Sequence, residues 1–145
     1  MWREERKQMS LADAMVGRRK GQNERLERIG ALLNWGRIEQ LLSAVYAAGE
    51  GRPAYRPLVM LRALLLQQWY RLSDPELEEA LSDRLSFRRF VGLSLEEEVP
   101  DHSTLSRFRT QMTQRGLSAQ VFAEVNRQLE RRGLMASAAR LSTRR

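Results

Sequence analysis

The chain contains no cysteine and only one histidine among its 145 residues. The first absence excludes a disulfide framework, catalysis by a thiol nucleophile and cysteine-based zinc sites. A single histidine without cysteines also excludes a zinc site of the usual kind, which needs several nitrogen or sulfur ligands. No glycine-rich phosphate loop occurs either. We therefore predict neither a metal nor another cofactor.

Long apolar runs are also missing. No stretch approaches the roughly 18 apolar residues that a membrane-spanning helix needs. The first ten residues, MWREERKQMS, are charged and are not followed by the apolar segment of a secretory signal. These absences predict a protein without a membrane partner, located in the cytoplasm.

The charge of the chain is strongly positive. Lysine and arginine number 25 against 18 acidic residues, which gives a net charge of +7. An excess of this size favours an anionic partner, most commonly nucleic acid, although a basic protein without such a partner is the alternative. Only Lys7 and Lys20 are lysines, and the planar guanidinium of arginine suits phosphate and guanine contacts.

Apolar residues recur with helical spacing along the chain, and no segment alternates as a strand does. The predicted fold is therefore all-α, a multi-helix bundle in a single domain. Residues 1–30 are predicted to form a basic, partly flexible arm with one short helix, SLADAMV. Residues 31–133 form the helical domain, and residues 134–145 form an irregular basic tail.

Several helices can be placed individually. One helix runs from Ala31 toward Gly49, and the helix after Pro57 is apolar nearly all round, which is typical of the centre of a bundle. A capping box starts the next helix, and a short helix, LSFRRFVGL, follows it. Two further helices are predicted, one N-capped by Asp101 and the last by Ser118.

The segment VPDHSTLSRFRTQM forms the helix after Asp101. Its inner side carries three apolar residues at helical spacing, Leu105, Phe108 and Met112. Its outer side carries only hydrogen-bond donors and no acid: Ser103, Arg107, Thr110 and Gln114, flanked by Ser106 and Gln111. Such a set suits a helix in the major groove of DNA. Together with the two preceding helices it resembles an elaborated helix-turn-helix, and a solvated amphipathic helix is the alternative.

Two clusters in this region could suggest a catalytic or metal site. Asp101, His102 and Ser103 are adjacent, but neighbours at a helix start point in different directions, whereas a catalytic triad needs side chains aimed at each other. The acids of residues 96–98 are consecutive on a loop and do not converge on one point. We predict that neither cluster is a site.

From about Trp35 to Gly133 the chain resembles the N-terminal domain of DDE transposases of the InsH-like (insertion sequence five) group. The resemblance is carried by GRPAYRPLVMLRALLLQQWYRLSDPELEEALSDRLSFRRFVGL, VPDHSTLSRFRTQM and VNRQLERRGL. It implies an all-helical domain that precedes a catalytic domain and binds double-stranded DNA at the terminal inverted repeats of the element. The predicted DNA-binding residues are the six on the helix after Asp101, together with Arg88 and Arg89.

The resemblance also implies where the chemistry lies. In that family three carboxylates of an RNase H-like domain hold two divalent metals, and the first of these acids follows soon after the segment matched by RQLERRGL. Here that region reads MASAARLSTRR and has no acid, and after Asp101 only Glu124 and Glu130 are acidic. We expect a DNA-binding transposase fragment that is not an enzyme by itself, arising from a frameshift, a truncation or the first frame of a two-frame element.

Two other functions would need different features of the sequence. A multimerisation module would bind another copy or a full-length transposase, and the acidic strip from Asp74 to Glu98, with eight acids against three arginines, suits a basic protein surface. A nuclease or transferase in its own right would need a convergent acid cluster, which the sequence does not offer.

Overall fold

Eight α-helices make up the part of the chain that the computed structural model describes, residues 23–43 and 55–142. No strand occurs in these two ranges, so the predicted all-α, multi-helix fold is confirmed. The helices are α1 Glu24–Leu32, α2 Trp35–Leu41, α3 Pro57–Tyr70, α4 Asp74–Asp83, α5 Leu85–Val91, α6 His102–Gln114, α7 Leu117–Arg131 and α8 Met135–Leu141. Among them, no helix has both the length and the apolar character to cross a membrane.

Helix α3 lies at the centre of the fold. Pro57 occupies its first turn, where the missing N–H costs no helical hydrogen bond. The helix packs against α2, α4, α5, α6 and α8, and most of its side chains are buried. Tyr70 is buried at its end and Trp69 is partly buried against the core. The prediction of a central, apolar helix is confirmed.

A cluster of aromatic rings and one arginine joins α2, α3 and α5. Phe90 contacts Trp35 and Trp69 edge to face, with ring centroids 5.7 and 5.8 Å apart. The guanidinium of Arg62 lies 4.1 Å from the Trp35 ring centroid and donates to the Phe90 carbonyl at 2.9 Å. Burial, and then the charge of Arg56, lowers the pKa of Arg62 to about 10. This partly buried cation therefore bridges three helices through its ring contact and its hydrogen bond.

The chain breaks between α1 and α2, where the sequence predicted one continuous helix from Ala31. The Asn34 side chain caps α2 by accepting from the Arg37 N–H at 3.2 Å. Its own backbone N–H donates to Gln128 Oε1 of α7 at 2.7 Å. Asparagine side chains form such local bonds in place of the bonds that continue a helix. The prediction of one continuous helix was therefore wrong. Its predicted end, at residues 49–51, lies outside the described residues.

The first helix, α1, begins within the segment that was predicted to form the N-terminal arm. Leu26 and Ile29 of α1 are buried, and the Asn23 side chain caps the helix while donating to Tyr70 Oη at 2.7 Å. Residues 24–30 therefore belong to a helix that packs in the bundle, which begins before the predicted residue 31. The predicted helix SLADAMV lies outside the described residues.

Helices α4 and α5 agree with the sequence. Ser73 Oγ accepts from the Glu76 N–H at 3.2 Å, and Glu76 Oε1 accepts from the Ser73 N–H at 2.8 Å, so the capping box is confirmed. Phe87 and Phe90 anchor the short helix α5 in the core. Gly92 ends it with a φ of 92°, a conformation that favours glycine.

The C-terminal part differs from its prediction in two places. Helix α7 begins at Leu117, with Gly116 at the cap position, so Ser118 is not the N-cap. Residues 135–141 form helix α8 instead of an irregular tail, because Leu134, Ala138 and Leu141 make a buried stripe at helical spacing. The helix packs against α1, α3 and α7. An alanine-rich sequence favours a helix, but its residues differ little in hydrophobicity. The buried stripe therefore could not be recognised from the sequence.

Candidate nucleic-acid interface

The helix start at Asp101 positions α6. One Asp101 carboxylate oxygen accepts from the Thr104 N–H at 2.8 Å, and this bond holds the pKa of Asp101 below its usual range. Leu105, Phe108 and Met112 are buried, as predicted. The cap fixes where the helix begins, and the apolar stripe fixes its rotation about its own axis.

The outer face of α6 is defined here by Ser103, Arg107, Thr110 and Gln114. All four are exposed, and the flanking Ser106 and Gln111 are half-buried. Arg107 Nη2 lies 3.5 Å from Thr104 Oγ1, so its guanidinium makes only a long contact along the helix. The sequence therefore placed these six residues on the correct side, and their contact with DNA stays a prediction.

A salt bridge and an amide fix α6 to α3 and α4. Arg109 donates to both carboxylate oxygens of Asp74, at 2.7 and 2.8 Å. Gln67 of α3 donates to Asp74 at 2.7 Å and accepts from Arg109 at 3.1 Å. The Arg109 guanidinium lowers the pKa of Asp74 to about 2, and the carboxylate raises that of Arg109. Sequence reasoning missed this clamp, whose partners lie 35 and 42 residues from Arg109.

His102 joins the first turn of α6 to α4. Glu78 Oε1 accepts from the His102 backbone N–H at 2.9 Å and lies 2.9 Å from its Nδ1. The hydrogen bond raises the pKa of His102 and lowers that of Glu78. The imidazole thus lies against Glu78, and Ser103 Oγ lies 3.4 Å from Asp101 Oδ1, so the three adjacent residues do not form a triad.

The two other predicted DNA-binding residues contact different parts of the fold. Arg88 Nη1 donates to the carbonyls of Ser94 and Glu97 at 2.7 and 3.0 Å. Arg89 Nη2 lies 3.5 Å from Glu27 Oε2 on α1. Arg88 therefore orders the loop before α6, and Arg89 faces a carboxylate. The structure does not combine these two arginines with the outer face of α6 into one site.

The acidic loop after α5 has a structural role of its own. Glu97 Oε1 accepts from the Ser94 N–H at 2.8 Å, which closes the loop on itself. Over the described ranges, no group of three or more histidine or acidic residues could hold a metal ion.

A polar groove between α2 and α7 is a second feature that sequence reasoning missed. Arg37, Arg127, Arg131 and Arg132 line it together with Glu124, and we call this surface the arginine groove. It has a volume of about 220 Å³. Within the sequence NRQLERRG, Arg127 and Arg131 are four residues apart and lie on one side of a helix. That spacing was the available signal, but Arg37 joins them only through the tertiary fold.

A buried carboxylate organises this groove. Glu124 is only 3% exposed. Its Oε2 lies 3.5 Å from Arg37 Nε and accepts from Gln128 Nε2 at 2.7 Å, while its Oε1 pairs with Arg127 Nη2. Gln128 also accepts from the Asn34 N–H, so the same network holds the break between α1 and α2.

These observations define a class of protein: an all-α domain with a basic net charge and an outer helix rich in hydrogen-bond donors. Residues 15–111 match the family described as Transposase domain (DUF772). The match covers about two thirds of the chain, which therefore belongs to this transposase-domain family. The matched segment ends at Gln111, inside α6. No solved structure matches the chain significantly.

Proposed function

We propose that this chain is the DNA-binding N-terminal portion of an insertion-sequence transposase of the InsH-like DDE group, recognising the ends of the element in double-stranded DNA. The observation that carries the proposal is the exposed, acid-free outer face of α6 in a chain of the transposase-domain family. The net charge of +7 supports the same partner, since it attracts the phosphate backbone. This partner assigns the chain to the compartment that holds the DNA, in a bacterial cell the cytoplasm.

In this proposal α6 enters the major groove, with its outer face toward the base edges. Arg107 suits the O6 and N7 acceptors of guanine, and Gln114 suits the N6 and N7 of adenine. Ser103 and Thr110 donate to phosphates or bases. Precise placement is needed for base recognition, and the clamp between Arg109 and Asp74 supplies it by fixing the helix on α3 and α4. Helices α4 and α5 correspond to the preceding part of an elaborated helix-turn-helix.

We assign no strand cleavage to these residues alone. The two acids that follow α6 are Glu124 and Glu130, and both lie on α7. Glu124 is paired with arginines, and Glu130 is exposed on the same helix. The proposal therefore separates recognition of the element ends, which this chain performs, from cutting, which needs the acids of a catalytic domain.

The test is a gel-shift titration with a duplex that carries the inverted repeats flanking the gene and with a shuffled duplex of the same composition. We expect salt-dependent binding that prefers the repeat, weakened by Arg107→Ala and Gln114→Ala. The matched controls are Arg71→Ala and Gln120→Ala, which change exposed residues outside the outer face of α6. Equal affinity of the wild type and both α6 variants for either duplex would refute the assignment of α6 as the recognition helix.

A second function is favoured by the acidic surface formed by α4 and the loop after α5. Glu76, Glu79 and Asp83 are exposed on α4, and residues 96–98 are exposed on the loop. This surface would repel DNA and could bind a basic surface of another transposase copy, full-length or like this chain. Sedimentation without DNA tests it: a stable dimer that dissociates when Glu79 and Asp83 are changed to lysine supports multimerisation, and a monomer at all concentrations contradicts it.

A further inference from the structure

We propose that the arginine groove is a second DNA-binding surface, one that holds the phosphodiester backbone of a duplex independently of base sequence. The inference rests on the proposed function and adds a second contact to it, on α2 and α7 rather than α6. Four arginines and one carboxylate line the groove, which leaves an excess of three positive charges around a volume of about 220 Å³. A regular polyanion is the partner that such a charge excess attracts.

Glu124 orients two of the four arginines of the groove, Arg37 and Arg127. The Glu124 carboxylate is 4% exposed, whereas the side chains of Arg37 and Arg127 are 57% and 53% exposed. Each of these guanidiniums is therefore attached to Glu124 at one edge and presents its other N–H donors to solvent. Because a guanidinium has five donors, one carboxylate contact leaves several free for phosphate oxygens. Orientation by a buried acid also reduces the entropy lost on binding.

Helix electrostatics accounts for only part of the cluster. Arg131 and Arg132 lie at the C-terminal end of α7, where positive charge offsets the helix dipole. That effect fades within the last turn, so it does not explain Arg127, and it has no bearing on Arg37, near the start of α2. Glu124 pairs with Arg37 and Arg127, but one carboxylate balances only one of the four positive charges that line the groove. The unbalanced positive charge therefore points to an external anion.

The lining of the groove favours DNA over an acidic peptide. All of its residues are polar or charged, including Asn34 and Gln128 beside the four arginines and Glu124. A stable peptide or protein interface usually needs an apolar anchor in a desolvated pocket, and the groove offers none. Phosphate groups need only charge and donors, both of which it supplies.

Helix α7 follows α6 after the turn at Gly116 and packs against it. The arginine groove and the outer face of α6 are therefore carried by neighbouring helices of one packed bundle. Backbone contacts of this kind position a protein on the duplex and carry no sequence information. The groove should accordingly change affinity for all duplexes alike and leave discrimination between sequences unchanged.

The experiment measures affinity and its salt dependence by fluorescence anisotropy with a labelled random-sequence 20-bp duplex. The test variant is Arg131→Gln with Arg132→Gln, because no ion pair of these two is found over residues 23–43 and 55–142. The control is Arg56→Gln with Arg71→Gln, which removes the same charge at the two ends of α3. Melting of all proteins by circular dichroism confirms that each is folded.

We expect the groove variant to bind about tenfold more weakly, and the slope of log affinity against log salt to fall by about 1.8, at about 0.9 per phosphate. The control should change affinity by less than about twofold if affinity follows local contact rather than total charge. Equal losses in the two variants, or an unchanged slope in the groove variant, overturns the inference.

A third arm keeps this result separate from the proposed function. The flanking-repeat duplex and its shuffled counterpart are titrated with the wild type and the groove variant. If the wild type prefers the repeat and the groove variant binds both duplexes with the same affinities as the wild type, the groove is not a DNA-binding surface. Recognition by α6 is then unaffected. A groove variant that loses affinity for both duplexes in equal proportion supports the groove. A wild type that binds no duplex refutes both proposals.

Discussion

The outer face of α6 and the arginine groove differ in how they combine charge with neutral donors. The outer face has one arginine among Ser103, Thr110 and Gln114, and it faces solvent freely. The groove has four arginines around a buried glutamate. Neutral donors distinguish base edges by geometry, whereas clustered arginines attract any phosphate. In our proposal, the outer face of α6 therefore serves sequence discrimination and the arginine groove serves affinity.

The two surfaces are also held in place differently. Helix α6 is fixed on its inner side by apolar residues and by the clamp between Arg109 and Asp74, while its outer side is unrestrained. In the groove the restraint acts through Glu124 on two of the arginines themselves, Arg37 and Arg127. Variants that disturb one restraint should therefore affect one surface and spare the other, unless they disturb the shared core.

The largest effect is expected from Leu105→Ala, which alters the shared core. Leu105 is 0% exposed on the inner side of α6, and removing it should lower the free energy of unfolding by about 2–5 kcal/mol. DNA binding should then decline at both surfaces near the new melting temperature. Urea unfolding measures the loss, with Thr113→Ala on the exposed side of the same helix as the control. A loss below about 1 kcal/mol contradicts the packing described.

Glu124→Ala should act on the groove alone. Removing the buried carboxylate leaves Arg37, Arg127 and Gln128 without their common partner, at a cost of about 1–3 kcal/mol. Glu130→Ala, on the exposed side of α7, should stay within about 0.5 kcal/mol. Urea unfolding compares the two. If they are equally stable, Glu124 does not organise the groove.

Asp74→Asn should weaken the attachment of α6 to α3 and α4 and change the stability of the protein in acid. The pKa of Asp74 falls from 3.8 to about 2 in the folded protein, so the clamp stabilises above pH 4 and this contribution is lost between pH 4 and 2. Because Asp74 and Arg109 are partly exposed, we expect on the order of 1 kcal/mol at pH 7.

The check is the pH dependence of urea unfolding. The wild type should lose this stability on acidification from pH 4 to pH 2, Asp74→Asn should lack that part of the decline, and Asp83→Asn should keep it. Identical profiles for the wild type and Asp74→Asn would show that the clamp does not contribute.

The smallest effect is expected from His102, whose contact with Glu78 is exposed. The pKa of His102 lies above its ordinary 6.5 in the folded protein, so the contact stabilises fully below pH 6.5 and is lost as the pH rises through the folded value. The melting temperature of the wild type should fall slightly from pH 6 to pH 8. His102→Gln should lack that step, and a step of the same size in the variant would exclude this contact as its cause.

Local signals in the sequence predicted much of the fold. Asp101 is a strong N-cap, Ser73 and Glu76 form a capping box, and α3 is apolar on every side, so these helices could be placed from neighbouring residues alone. Asn34 was missed as a helix break because the other bond that holds the break, from its backbone N–H to Gln128, joins residues 94 apart in the sequence. Helix α8 was missed because two leucines among alanines give a weak apolar pattern.

The candidate site divides in the same way. The outer face of α6 follows from helical spacing within one segment, and its exposure agrees with the prediction. Arg88 and Arg89 were predicted to bind DNA with it, whereas in the fold Arg88 contacts the 94–97 loop and Arg89 contacts Glu27. The arginine groove could not be foreseen, because Arg37 and α7 come together only in three dimensions.

The central claim is that α6 distinguishes DNA sequences. The most direct test is the ratio of affinities for the flanking-repeat duplex and its shuffled counterpart, measured by anisotropy for the wild type and Arg107→Ala. We predict that the wild type prefers the repeat and that the substitution lowers this preference by about 1–3 kcal/mol while binding to the shuffled duplex changes little. A wild type with equal affinity for both duplexes, or an Arg107→Ala variant with an unchanged ratio, would contradict the claim.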